Sequence, residues 1–188
     1  VGAVFTARIL NPRSARAPGP GAGYIGTDGT LRISAGSFAV GGSLDVAIVN
    51  RDAGLGSGTG GSIGGNAVIN FNVTSGLQIG GAADFQILNE SVVSGSPGGS
   101  IGGDATINVS AANITANSLL AQIDNSNGGT IGGAANIAVN VGNNVTVPNG
   151  IDLHILNNNS GHIGTRGDSL FLAGDGISPT APLVAYYE

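Results

Sequence analysis

The chain has 188 residues, a formal net charge of −5, 35 Gly and no Cys, Met or Trp. With 41% hydrophobic and only 9% charged residues, it lacks the signature of a disordered chain and is expected to fold. Arg is its only strongly basic residue, so no broad basic surface exists for nucleic acid. The absence of Cys excludes disulfides and thiolate metal sites, and no apolar run reaches the ~20 residues that span a bilayer.

The first predicted element is a strand, VFTARILN, that ends at Asn11, and a segment rich in Pro and Gly follows it over residues 12–24. The turn GYIGT then leads into alternating apolar and polar residues, the period of half-buried strands. Three such strands recur between successive turns. In the second segment the inward positions are Ala67, Ile69, Phe71 and Val73, then Leu77 and Ile79, then Ala83, Phe85 and Ile87.

The turns themselves form a repeat. The sequence GGSIGG occurs at residues 60–65 and 98–103, GGTIGG occurs at 128–133, and GYIGT and GHIGT are weaker copies. The isoleucines of the five turns are Ile25, Ile63, Ile101, Ile131 and Ile163, at intervals of 38, 38, 30 and 32 residues. A repeated unit of 30 to 40 residues with one apolar face is typical of solenoid proteins.

A second landmark shows where the length of the repeat varies. Each unit carries an Asn in register at the end of its third strand: Asn11, Asn50, Asn89, Asn125 and Asn157. From turn Ile to landmark Asn the chain runs 25, 26, 24 and 26 residues, whereas from Asn to the next turn Ile it runs 14, 13, 12, 6 and 6 residues. The variation therefore falls at one corner.

Units that cannot bury their apolar faces alone are expected to stack, with coils ~4.8 Å apart. The pattern predicts an all-β parallel β-helix (β-solenoid) of about five coils with three short strands each. Residues 1–188 are interpreted as a single β-solenoid segment of a longer repeat protein, with an irregular C-terminal portion at 164–188.

Two sets of residues are predicted to have structural roles. Glycines mark the turns, where the chain bends with little room and a positive φ is tolerated, and the Asn column is expected to hydrogen-bond along its own stack, as in amide ladders. The predicted structural turn residues are Gly64, Gly65, Gly102, Gly103, Gly132 and Gly133.

The repeats G-G-[ST]-I-G-G-[ND]-A-x-I-N resemble those of large bacterial surface and secreted proteins in the filamentous-haemagglutinin and autotransporter-passenger group. The resemblance covers most of the chain and implies export to the cell surface, with an adhesive or scaffolding role. It brings no catalytic residues, cofactor or metal with it.

Candidate chemistry is sparse. Asp45 and Asp84 are predicted to stack outward on adjacent coils, close enough to share a proton or a metal; a solvated face is the favoured interpretation, because no Lys or nearby Arg is expected beside them. His154 and His162 are interpreted as surface residues without a carboxylate partner.

The long insertions at the variable corner are expected to project side by side. In the first, Pro12 to Tyr24, the residues Arg13, Arg16 and Tyr24 form a possible partner-binding loop, because exposed loops on a rigid scaffold often carry binding groups. A tolerated flexible insertion is the competing interpretation.

The sequence thus predicts a non-enzymatic structural or adhesive β-solenoid segment of a bacterial extracellular or cell-surface protein. A carbohydrate-binding or carbohydrate-active β-helix and a self-assembling filament subunit are the alternatives. Expected partners are glycans, a host or neighbouring-cell surface, or further copies stacked end to end, with no cofactor, no nucleic acid and no membrane-spanning segment.

Overall fold

The computed structural model of the protein describes residues 2–11, 23–51, 60–91, 97–164, 168–173, 176–177 and 183–187, and within these ranges it contains strands and no helix. The short strands stack into parallel sheets, which confirms the predicted all-β, β-solenoid fold. In chain order the strands are β1 (Phe5–Leu10), β2 (Tyr24–Ile25), β3 (Gly29–Ala35), β4 (Phe38–Val40), β5 (Leu44–Val49), β6 (Ser62–Ile63), β7 (Ala67–Ile79), β8 (Ala82–Leu88), β9 (Ser100–Ile101), β10 (Ala105–Thr115), β11 (Ser118–Asp124), β12 (Thr130–Ile131), β13 (Ala135–Val141), β14 (Asn144–Thr146), β15 (Ile151–Leu156), β16 (His162–Ile163), β17 (Asp168–Ala173), β18 (Gly176–Ile177) and β19 (Leu183–Tyr187).

Three sheets run along the solenoid. The six-stranded sheet has the order β1-β5-β8-β11-β15-β19 and contains the predicted third strands. The eight-stranded sheet contains the predicted first and second strands, which join into one continuous strand in β7 and in β10. The five-stranded sheet, in the order β16-β12-β9-β6-β2, consists of the turns, which were predicted only as bends. The five turns are therefore hydrogen-bonded to one another in a sheet of their own.

The interior is filled by the inward side chains of all three sheets. The turns contribute three fully buried isoleucines, Ile63, Ile101 and Ile131. The exposed fraction of Phe71 and Phe85 is at most 1%. Four aromatic rings contact one another edge to face in the order Phe5, Phe38, Phe71 and Phe85, with centroid distances of 5.2, 5.1 and 5.3 Å. The core is thus continuous from coil to coil, as the recurrence of one apolar face requires.

The turn glycines are required for one of the two predicted reasons, the lack of room at the turns. Among the described glycines only Gly128 and Gly150 have a positive φ, so the expectation of positive φ at the repeated turn pairs was wrong. A Cβ on Gly102 would instead overlap the carbonyl oxygen of Gly64 on the preceding coil, and a Cβ on Gly103 would overlap Asn66 Oδ1. Close approach between coils selects glycine here.

The oxygen that crowds Gly103 belongs to a second ladder, which the sequence analysis missed. Asp28 Oδ1 accepts a hydrogen bond from the backbone N–H of Asn66 at 2.7 Å, and Asn66 Oδ1 accepts one from Asp104 at 2.8 Å. Asp104 Oδ1 in turn accepts from Ala134 at 2.8 Å. These side chains tie each coil to the next just after its turn.

The C-terminal portion at 164–188, predicted to be irregular, contributes three described strands. The strands β17, β18 and β19 pair in parallel with β13, β14 and β15 of the preceding coil. The prolines that suggested irregularity, Pro179 and Pro182, lie outside the described residues. The described part of this portion therefore continues the solenoid.

Replacing Gly102 by Ala is expected to lower the free energy of unfolding by about 1–3 kcal/mol, because the new methyl group overlaps a backbone carbonyl that cannot rotate away. Gly76→Ala is the matched control, since a Cβ there meets only Gln78 Nε2 at 3.9 Å. Denaturant unfolding of both variants measures the difference. Equal midpoints would contradict the explanation by close approach.

Candidate functional site

The corner between the six-stranded and five-stranded sheets is the first candidate, because the insertions of variable length begin and end there. The structure places the five landmark asparagines in one unbroken hydrogen-bonded column. Nδ2 of each donates to Oδ1 of the next, at 2.8 Å from Asn11 to Asn50, 2.7 Å from Asn50 to Asn89, 2.7 Å from Asn89 to Asn125 and 2.8 Å from Asn125 to Asn157. We call this column the Asn ladder.

Each of the first four ladder amides also donates to a turn strand, namely the second one after it in the chain. Asn50 Nδ2 donates to the carbonyl oxygen of Ser100 at 3.1 Å, and Asn89 Nδ2 donates to that of Thr130 at 2.9 Å. Asn50, Asn89 and Asn125 are fully buried, so these bonds satisfy donors that have no access to water. The sequence register identified the column but not this second bond.

This second bond joins the start of one connection to the end of the next, since Asn11 precedes residues 12–22 and Ser62 follows residues 52–59. Asn11 donates to the carbonyl oxygen of Ser62 at 3.0 Å and Asn125 donates to that of His162 at 2.9 Å, whether the corner holds a long or a short connection. The short connections turn with left-handed residues, at Asn127 (φ 53°) in one and at Asn159 and Ser160 (φ 50° and 68°) in the other. The geometry at the corner is thus independent of how many residues leave it.

The insertions themselves, at 12–22, 52–59 and 92–96, lie outside the described residues. Arg13 and Arg16 of the possible partner-binding loop therefore have no described position. Tyr24, where the first insertion rejoins the solenoid, is 72% exposed. The described residues on either side place the bases of the three insertions in adjacent coils along one edge.

The outer face of the six-stranded sheet is the second candidate, because it carries most of the charged side chains that the structure describes. Asp45 and Asp84 lie in register on β5 and β8, as the alignment of the third strands predicts. Arg8 on β1 forms an ion pair with Asp45 through Nη2, and its Nε donates to Asp45 Oδ1 at 3.3 Å. The expectation of no nearby Arg was therefore wrong.

Sequence reasoning missed Arg8 because it compared each aspartate only with its own register position. Arg8 aligns with Ala47, two residues beyond Asp45 on the same face, and its long side chain reaches diagonally to the carboxylate. The hydrogen bond to Asp45 and the attraction of its charge raise the pKa of Arg8. Residues at diagonal positions of neighbouring strands are the signal that would have found it.

Among the described residues, Asp84 has no such cation. Burial first, and then the negative charge of Asp45, raise the pKa of the Asp84 carboxyl group above its ordinary value. A groove of about 410 Å³ adjoins Asp84 and is also lined by Leu120 and Asp152. The two stacked aspartates therefore have unlike surroundings: Asp45 is ion-paired with an arginine, whereas Asp84 lies beside a groove with no ion-pair partner in the part of the chain that the structure describes.

Two further polar groups lie on this face. Arg51 Nη1 contacts Glu90 Oε1 at 3.2 Å, while burial and the charge of Asp124 raise the pKa of Glu90 against the opposing effect of Arg51. His154 Nδ1 lies 2.8 Å from Asp152 Oδ1, and the imidazole is only 9% exposed. The interpretation of His154 as a surface residue without a carboxylate partner was therefore wrong.

Within the described ranges, no cluster of three or more His, Cys, Asp or Glu side chains is arranged to hold a metal ion. The same ranges hold no helix with the length and apolar character that crossing a membrane demands. Comparison of the chain with protein families, with curated proteins and with solved structures finds no match in any of the three.

The raised pKa of Asp84 gives a pH-dependent prediction. The folded chain binds this proton more tightly than the unfolded chain, so ionisation of Asp84 lowers stability as the pH rises above its ordinary value of 3.8. Asp84→Asn is therefore expected to raise the thermal midpoint at pH 7 and to change it little at pH 3. A gain of equal size at both pH values, or a loss at pH 7, would contradict the assignment.

Proposed function

We propose that the chain is a non-enzymatic structural and adhesive β-solenoid segment that presents the insertions of its variable corner along one edge of a rigid scaffold. The observation that carries the proposal is the Asn ladder, whose second hydrogen bond joins the start of one connection to the end of the next. The bond from Asn11 to Ser62, for example, links the residue before the 12–22 insertion to a residue just after the 52–59 insertion. The insertions therefore leave and rejoin the solenoid at positions that are bonded to one another across adjacent coils.

Binding groups on such insertions lose less conformational entropy when they bind a partner. A rigid base lowers the conformational entropy lost when a loop is ordered by a partner, and prolines such as Pro18 and Pro20 lower it further. Arg13 and Arg16 supply charge in the same insertion. Glycans and the surfaces of neighbouring or host cells are the partners we propose.

The proposed location, at the bacterial cell surface or outside the cell, rests on the resemblance of the glycine repeats to those of surface proteins. A solenoid of stacked coils suits this setting, because its length grows with each repeat while its cross-section stays constant.

The loop proposal predicts a separation of folding from attachment. Replacing residues 13–22 with a short Gly-Asn turn is expected to leave the unfolding free energy within about 0.5 kcal/mol, as for surface changes, and to reduce attachment to cells. Denaturant unfolding and a cell-attachment assay measure the two effects.

The same replacement of residues 52–59, which carry no arginine, is the control. Unchanged attachment in the first variant would show that the 12–22 insertion does not bind a partner. Loss of folding would contradict its placement outside the core.

The pair Asp45 and Asp84 supports a second candidate, a carbohydrate-active β-helix. Adjacent coils hold the two residues ~4.8 Å apart along the sheet, close to the carboxyl separation of retaining glycosidases. Their surroundings differ as those of a nucleophile and an acid do: Arg8 forms an ion pair with Asp45, whereas burial and the charge of Asp45 raise the pKa of Asp84.

Asp84→Asn also decides between the two candidates. On the first proposal the variant is only more stable at neutral pH, and cell attachment is unchanged. On the second proposal, the wild-type chain releases reducing ends from polysaccharides, and the variant releases none. Absence of any release by the wild-type chain at pH 4 to 7 would remove the second candidate.

A further inference from the structure

A groove of about 560 Å³ lies on the outside of the eight-stranded sheet, where the first strand of each coil bends into the second. The register shift between Ala111 and Asn113 marks this bend in β10. Four successive coils contribute polar side chains to the groove, which therefore runs along the solenoid axis. These side chains are Ser37, Ser75, Gln78, Asn113, Thr115 and Asn144.

The chemistry of the groove is neutral and rich in hydrogen-bonding groups. All of its lining residues are uncharged, which sets it apart from the charged outer face of the six-stranded sheet. Phe38 is also among the lining residues, but its ring packs into the core against Phe5 and Phe71. Amide and hydroxyl groups together are the set that recognises an uncharged ligand bearing many hydroxyl groups.

The side chains of the groove also have spare hydrogen-bonding capacity. Gln78 and Thr115 lie in register on β7 and β10, and both are exposed, yet among the described residues no hydrogen bond joins their side chains. Other stacked amides do bond one another, as Asn108 Nδ2 does to Asn70 Oδ1 at 3.0 Å and, within the groove, Asn144 Nδ2 does to Asn113 Oδ1 at 3.4 Å. A ligand can therefore bond Gln78 and Thr115 without breaking any bond inside the protein.

We propose that this groove binds a linear neutral glycan laid along the solenoid axis. Each coil adds at least one polar side chain, at a spacing of ~4.8 Å and on strands that are already ordered. An extended chain of hydroxyl-bearing units therefore meets hydroxyl or amide groups on successive coils. The inference rests on the adhesive function proposed above and names a ligand class for it.

The position of the groove within the sheet favours a glycan over a peptide strand. A peptide that extends a sheet needs an unpaired strand edge. The strands at the centre of the groove, β7 and β10, are paired on both sides. A ligand in the groove can therefore bond only to side chains. The hydroxyl and amide side chains there can hydrogen-bond the hydroxyl groups of a glycan.

Gly76 allows the groove to be blocked without disturbing the core. It lies between Ser75 and Leu77 in the lining, and a Cβ built on it meets only Gln78 Nε2, at 3.9 Å. Gly76→Trp therefore places a large ring in the groove. Asn72→Trp, at an exposed position of β7 outside the groove, is the matched control.

The test is isothermal titration of the chain with cellohexaose, xylohexaose and mannohexaose as neutral probes and with a hyaluronan hexasaccharide as a charged one. We expect at least one neutral probe to bind. Gly76→Trp should abolish its binding, Gln78→Ala and Thr115→Ala should each weaken it by up to about tenfold, and Asn72→Trp should stay within about twofold.

Binding of only the charged probe, no binding of any probe, or equal affinity in Gly76→Trp and wild type would overturn the proposal. Should Gly76→Trp fail to fold, unchanged affinity in both Gln78→Ala and Thr115→Ala would overturn it as well. Titration of the variant that lacks residues 13–22 separates this inference from the loop proposal, because the groove predicts unchanged glycan affinity there.

Discussion

The Asn ladder is the constraint on which the rest of the structure depends. A buried amide that leaves its donors unpaired costs about 1–3 kcal/mol, and the column removes this cost only if every coil supplies an Asn at the same position. Each buried amide donates both of its N–H groups, one along the column and one to the second turn strand after it in the chain. The ladder thus fixes the spacing of the coils and ties the start of each connection to the end of the next.

The opposite end of each turn is fixed by a second set of contacts. Side-chain oxygens such as Asn66 Oδ1 bond the backbone of the following coil, and glycines such as Gly102 let that coil approach closely. A turn strand of only two residues is therefore held at both ends. These contacts explain the stability of the five-stranded sheet, because strands of two residues form too few hydrogen bonds with their neighbours to be stable alone.

Rigid corners leave the outer surface free for function. The insertions begin and end at positions that the ladder sets, and the neutral groove lies on strands that are paired on both sides. The two proposed binding regions therefore share one scaffold but do not share residues. Each can change in sequence without altering the core, which is how a repeated fold acquires different partners.

The stacking of the coils and the position of the Asn column could be predicted from the sequence, because a period of two and a fixed register are properties of the sequence itself. Contacts that depend on the reach of side chains or on the distance between backbones could not. The bond of Arg8 to Asp45 is diagonal, the burial of His154 beside Asp152 depends on how side chains cover one another, and the crowding at Gly102 depends on the distance between backbones.

The stability of an Asn89→Ala variant tests the role of the ladder most directly. Asn89 bonds Asn50, Asn125 and the backbone of Thr130, so its loss should lower the free energy of unfolding by about 1–3 kcal/mol or more. Asn72→Ala, at an exposed position on β7, should change it by less than about 0.5 kcal/mol. Equal unfolding midpoints for the two variants would contradict the account.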